Sequence, residues 1–131
     1  MYNQLIIQSY QNSIYLLSIT EMCPSAILPE IEDYEKISGG STWKNRVIGF
    51  IEACCNTGIA EIDTGREISA QEAIDNLKNT VRKIENGAPW YGYQLYSTAY
   101  GKELIKTFNI DEVNAPLSWS FLEWAKLHLL K

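Results

Sequence analysis

Along most of the chain, apolar residues recur at intervals of three and four. This is the spacing of one helix face, and it limits the fold more than any other feature. The clearest case is Ala70, Ala73, Ile74, Leu77, Val81 and Ile84, which form a single stripe. Ser69 and Glu72 stand ahead of it with the spacing of a capping box, Lys78, Arg82 and Lys83 lie toward its end, and Gly87 follows. From Trp43, the positions Val47, Phe50, Ile51 and Cys54 predict a second helix, capped by Ser41 or Thr42 and ending near Gly58. Ile6, Ile7, Tyr10, Ile14 and Leu17 predict a helix over 3–20 behind Asn3, although the Ile14-Tyr15-Leu16-Leu17 run also suits a strand. Leu95, Leu104, Ile105 and Phe108 predict a helix over 94–108 with Gly101 as its weak point, and Phe121, Leu122, Ala125 and Leu129 one over 118–130. Residues 59–65 alternate briefly and stop at Gly65, the signal of a short strand or hairpin over 59–68.

The expected fold is therefore mainly α, a helical bundle of about five helices with room for one small β-hairpin. The alternative is a small α+β domain in which the hairpin and residues 91–98 form a sheet. At 131 residues and 46% hydrophobic content the chain has the size of one globular domain, residues 1–131, and can bury a core without metal or disulfide staples. Its three cysteines, Cys23, Cys54 and Cys55, are an odd set that implies no disulfide framework. Met1-Tyr2-Asn3-Gln4 lacks the positive region of a secretion signal, which predicts a reducing cytoplasm as the compartment.

The formal charge is -5, and it is unevenly spread. Residues 1–75 hold 11 acids and 4 bases, whereas residues 76–131 hold 5 acids and 7 bases. An acidic chain is poorly suited to phosphate, so nucleic acid is not expected as a partner, and no apolar run is long enough to imply a membrane span. The densest acidic run is Glu21, Glu30, Glu32, Asp33 and Glu35, with no base before Lys36. It reads either as a solvated loop or helix face or as a surface that steers a basic partner into contact.

The residues that carry chemistry in small enzymes are sparse. His128 is the only histidine, placed inside an apolar helix pattern near the end of the chain, so neither a hydrolytic triad nor a His-based metal site is expected. Gly39-Gly40-Ser41-Thr42 before Lys44 lacks the spacing of a phosphate loop and reads as a turn and helix cap. Glu61 with Asp63, and Glu30 with Asp33, are the carboxylate pairs available for acid–base work, but 16 acids in 131 residues produce such neighbours by chance. No catalytic set, cofactor or metal is expected. The other concentrated feature is aromatic: Trp90, Tyr91, Tyr93, Tyr96 and Tyr100 fall within residues 88–100. Core packing and a protein interface both use such residues, whereas base stacking needs a basic groove, for which only Lys78, Arg82, Lys83, Lys102 and Lys106 are near in sequence.

In its size, acidity, tyrosine and tryptophan content and lack of a catalytic set, the chain resembles bacterial toxin immunity proteins, including those of contact-dependent growth inhibition. Leu28-Pro29-Glu30 with Tyr34 and then Gly39-Gly40 is similar to a passage of the Smi1-like immunity proteins. Residues 42–55 carry helical spacing where that family has strand spacing. The resemblance implies a non-enzymatic inhibitor in the cytoplasm of the producing cell, with a cognate protein toxin, often a basic nuclease, as partner. It makes Glu30, Glu32, Asp33 and Glu35 the charge-matching residues and Trp90, Tyr91 and Tyr93 the anchors. A second resemblance, over residues 41–108, is to winged-helix DNA-binding domains and implies a regulator or adaptor; Glu72 and Asp75 at the start of its recognition helix suit phosphate poorly.

Overall fold

The computed structural model describes residues 4–80 and 88–130. Among them are seven α-helices: α1 (Gln4–Leu17), α2 (Pro29–Ser38), α3 (Trp43–Asn56), α4 (Ala70–Asn79), α5 (Ala88–Gly92), α6 (Ala99–Thr107) and α7 (Trp119–His128). Two short strands, β1 (Ala60–Asp63) and β2 (Gln94–Ser97), pair antiparallel, with Glu61 opposite Tyr96 and Ile62 opposite Leu95. The mainly α architecture with a small sheet is the expected one. The partner of the alternating 59–65 segment comes from the aromatic segment rather than from the residues just beyond Gly65.

Helix α1 lies at the centre of the fold. Its apolar face, Ile7, Tyr10, Ile14 and Leu17, is buried, and so are Ser9, Gln11, Asn12 and Ser13. A buried polar group must be hydrogen-bonded to be tolerated. These side chains use that requirement to fasten two distant segments. Ser9 Oγ donates to Glu30 Oε1 at 2.6 Å, and Ser13 Oγ accepts from the Leu28 amide at 3.1 Å, which seats the start of α2. On its other side Gln11 donates to the carbonyls of Ala115 and Pro116 and accepts from the Ser118 amide at 2.8 Å. Asn12 pairs reciprocally with Asn114, donating at 2.9 Å and accepting the Asn114 amide at 2.8 Å, so the loop that leads into α7 is laced to α1.

Aromatic contacts extend the core outward from this helix. Tyr10 stacks on Phe50 of α3, and Trp43 of α3 packs on Trp90 of α5 with ring centroids 5.6 Å apart. Both indole N–H groups are satisfied, Trp43 by the Ile27 carbonyl and Trp90 by those of Leu77 and Thr80. Phe108, Phe121 and Trp124 form a second cluster between α6 and α7.

Several local predictions hold. Ser69 accepts from the Glu72 amide at 3.0 Å, Ser118 caps α7 in the same way, and Gly58 adopts φ 78° just past α3. Asn3, Val81, Arg82, Lys83, Ile84 and Gly87 fall outside the described residues. One expected helix is corrected. Residues 94–108 are not one helix: Leu95 lies in β2 and exchanges two backbone hydrogen bonds with Met22 on the edge away from β1, and Thr98 caps a new helix by accepting from the Gly101 amide at 2.9 Å. Of the two readings of the acidic run as loop or helix, residues 29–38 take the helix, α2, which starts at Pro29 because a first helical position needs no amide hydrogen.

Gly101 is a close-approach residue, since a Cβ there would fall on the Ile59 carbonyl, whereas Gly49 within α3 has open space around its Cα. We expect Gly101→Ala to destabilise the fold by about 2 kcal/mol or more and Gly49→Ala to stabilise it by about 0.5–1 kcal/mol, measured as urea midpoints. Gln11→Ala takes their partner from the Ser118 amide and the Pro116 carbonyl and leaves the Ala115 carbonyl to Gln8 alone, and is expected to cost about 2 kcal/mol or more in the same assay.

Candidate protein-binding surface

Two acids of the run, Glu30 and Glu35, fold back on the protein. Glu30 is half-buried and accepts from Ser9, as described above. The Glu35 carboxylate accepts from the Thr42 amide at 2.8 Å, the Thr42 hydroxyl at 2.7 Å and the Trp43 amide at 2.7 Å. It thereby caps α3 from outside: Thr42 holds the cap position, but its own side chain makes no cap hydrogen bond. These are the amides that an anion would take in a phosphate loop, and here the anion is supplied by the chain itself. Gly39, with φ 84°, turns the loop, and Gly40 leaves room for the carboxylate, because a Cβ there would lie 2.8 Å from Glu35 Oε2.

Burial pushes the Glu35 carboxyl upward, and the hydrogen bonds from Thr42 and Trp43, together with the Arg46 charge, outweigh it, so its pKa lies below the ordinary 4.5. Glu32, half-buried, and Glu35 line a shallow pocket of about 300 Å³ with Trp43, Lys36 and Lys44. Two acids and two bases there leave no dominant sign of charge.

Asp33 is exposed on the opposite side of α2, and two residues absent from the candidate set stand beside it. Glu30, Asp33, Tyr34 and Ile37 follow the i, i+3, i+4, i+7 rule and so share one helix face. Tyr34 is 55% exposed and Ile37 91% exposed. Their signal in the sequence was this spacing, in which two apolar positions fall out of phase with the buried Ile31.

A second acidic surface was not anticipated as a unit. Glu61 and Tyr96 are paired across β1 and β2, and the Tyr96 hydroxyl donates to Glu61 Oε2 at 2.7 Å. The antiparallel Met22–Leu95 bridge sets Glu21 beside Tyr96 on the same side of the sheet, and Asp63 lies two residues along from Glu61. The hydrogen bond to Glu61 raises the Tyr96 pKa, helped by burial and by the charges of Glu61, Asp63 and Glu21. Seventy-five residues separate Glu21 from Tyr96, so only the strand register brings this group together.

The aromatic candidates separate. Trp90 is 0% exposed and belongs to the core, locked by Trp43, by its two carbonyl acceptors and by Lys44 Nζ 5.8 Å above its ring; it is not an anchor on the surface. Tyr93 is half-buried, its hydroxyl accepting from Asn76 at 3.0 Å, while Tyr91 is 55% exposed. The structure does not bring these three together as one exposed patch.

His128 is exposed at the end of α7, its ring against Trp124. Burial pushes Cys55 up to about 11 and Cys54 well above its ordinary value, so both thiols are protonated at neutral pH. Among the described residues there is no group of three or more His, Cys, Asp or Glu placed to hold a metal ion, and no helix is long and apolar enough to cross a membrane. No family model, no curated protein and no solved structure matches the chain.

Because Glu35 titrates lower folded than unfolded, its contribution to stability is present above pH 4.5 and lost as pH falls through its folded value. Urea unfolding between about pH 6 and about pH 3 should show a steeper acid loss for the wild type than for Glu35→Gln, and Glu35→Gln should be the less stable of the two at pH 6.

Proposed function

We propose that this chain is an immunity-type inhibitor, which binds and neutralises a cognate bacterial toxin in the cytoplasm of the cell that produces both. The toxin is of the basic, nuclease kind, and the inhibitor covers its active site or substrate surface. The observation that supports this reading is the distribution of charge. Five of the eleven acids of residues 1–75 lie on two surfaces where acids outnumber bases: Glu30 and Asp33 on the outer face of α2, and Glu21, Glu61 and Asp63 on the outer face of the sheet, where Lys102 stands near Glu21 and Tyr96. Surfaces of one sign steer an oppositely charged partner into contact and occupy grooves built for phosphate. The activity requires only binding, which agrees with side chains whose unusual groups are caps and core thiols.

The test is co-expression of the tagged chain with the product of the gene immediately upstream in its native DNA. The expected outcome is a stoichiometric complex, restored growth of cells in which that product alone is toxic, and weakening of the complex as salt rises from about 50 to about 500 mM. Charge reversal at exposed Asp33 and Glu21 together should slow association about tenfold at low salt with little change in dissociation, measured by surface plasmon resonance. A product that neither binds nor kills removes the proposal.

A further inference from the structure

We infer that the contact is anchored by the outer face of α2, with Tyr34 and Ile37 inserted into a groove of the toxin that has an apolar floor and basic walls. This rests on the toxin-binding reading and names the part of the surface that carries it. Ile37 at 91% exposed lies four residues from Asp33 and three from Tyr34, which is 55% exposed, and Glu30 completes the stripe at i−4 from Tyr34. A helix that binds in a groove presents its anchors at this i, i+3, i+4, i+7 spacing. Exposure of two apolar side chains on a surface helix costs free energy in water that a partner would recover, and tyrosine is enriched among the residues that dominate such contacts.

Charge decides which occupant fits. A second copy would bring Glu30 and Asp33 of each chain against one another, whereas basic walls place a cation beside each. The other strongly exposed apolar residues differ in this respect. Trp119 and Leu127, 77% and 63% exposed on α7, are accompanied by both an acid, Glu123, and a base, Lys126. They present no charge of one sign to a basic partner.

The helix is also held still before binding. Ser9 and Ser13 fasten its start to α1, Glu35 fastens its end to α3, and the Gly39 amide closes on the Glu35 carbonyl at 2.8 Å. Its anchors are therefore presented on a rigid element, and little ordering entropy remains to be lost on association.

The experiment measures the affinity of the purified product of the upstream gene for the wild-type chain and for Tyr34→Ala, Ile37→Asp and, as controls on the other exposed face, Trp119→Ala and Leu127→Asp. All four positions are exposed, and urea midpoints check that each variant keeps its fold. Tyr34→Ala and Ile37→Asp are each expected to weaken the complex at least about tenfold, while the α7 variants stay within about threefold. Three results would overturn the inference. One is a wild-type complex whose affinity is unchanged by the α2 variants, which leaves the toxin-binding reading standing. Another is sedimentation showing a dimer of this chain that Ile37→Asp dissociates, which assigns the face to a second copy. A wild-type chain that forms no complex removes the reading and the inference together.

Discussion

The buried polar side chains of α1 are the constraint on which the rest of the architecture depends. Ser9, Gln11, Asn12 and Ser13 have almost no contact with solvent, so each must find a partner on another segment or leave an uncompensated group in the core. Their partners lie on both sides of the helix in space and at both ends of the sequence: residues 28–30 on one side and residues 114–118 on the other. Apolar contacts are tolerant of small shifts, whereas an amide that bonds two carbonyls and one N–H is not. The α1 side chains therefore convert a greasy central helix into one with a defined rotation. That rotation in turn decides where α2 and α7 dock.

This arrangement also marks the boundary of what could be read from residues alone. Helices α1, α3 and α7, the cap at Ser69 and the stop at Gly58 are set by periodicity and by side chains within four residues of their partners, and those interactions are visible in a linear text. The clamp of Gln11 and Asn12 on residues 114–118 spans more than a hundred positions, and nothing local distinguishes a glutamine that will be buried from one that will be solvated. The split of 94–108 into a strand and a helix has the same origin. Leu95 has helical neighbours by spacing, but two hydrogen bonds exchanged with Met22 and the pairing with Ile62 outweigh that preference. Gly101, read as a weak point in a helix, is there because the Ile59 carbonyl occupies the space of its side chain.

The acidic run shows how a charge count can overstate a surface. Of the four acids over residues 30–35, Glu30 is held by a buried serine and Glu35 is consumed as the cap of α3. Asp33 is the one of the four that is exposed, and the sheet contributes a compensating group in Glu21, Glu61 and Asp63. The electronegative character predicted from composition survives, but its position changes: part of it moves from a contiguous segment to a face assembled by strand pairing. Trp90 shows the complementary error among the aromatics. Its neighbours in sequence look like a patch, yet a tryptophan with an N–H to satisfy and a large apolar ring is as well suited to a core with two free carbonyls as to an interface.

The start of α2 shows how the fold fixes the geometry of the face that carries Tyr34 and Ile37. Leu28 holds a left-handed backbone conformation, φ 55° and ψ 50°, which costs a non-glycine residue about 1–3 kcal/mol. The strain persists because three interactions depend on it. The Leu28 side chain is fully buried, its amide is bound by Ser13, and the reversal it creates delivers Pro29 as the first residue of the helix. A glycine would adopt the same backbone more easily, but it would surrender the buried side chain and loosen the turn in the unfolded and folded states alike. With leucine there, the direction of α2 is set by the core itself. The outward face of the helix is then not a matter of local preference: once Ile31 points inward toward α1 and Glu35 toward α3, Tyr34 and Ile37 have no inward position left to take.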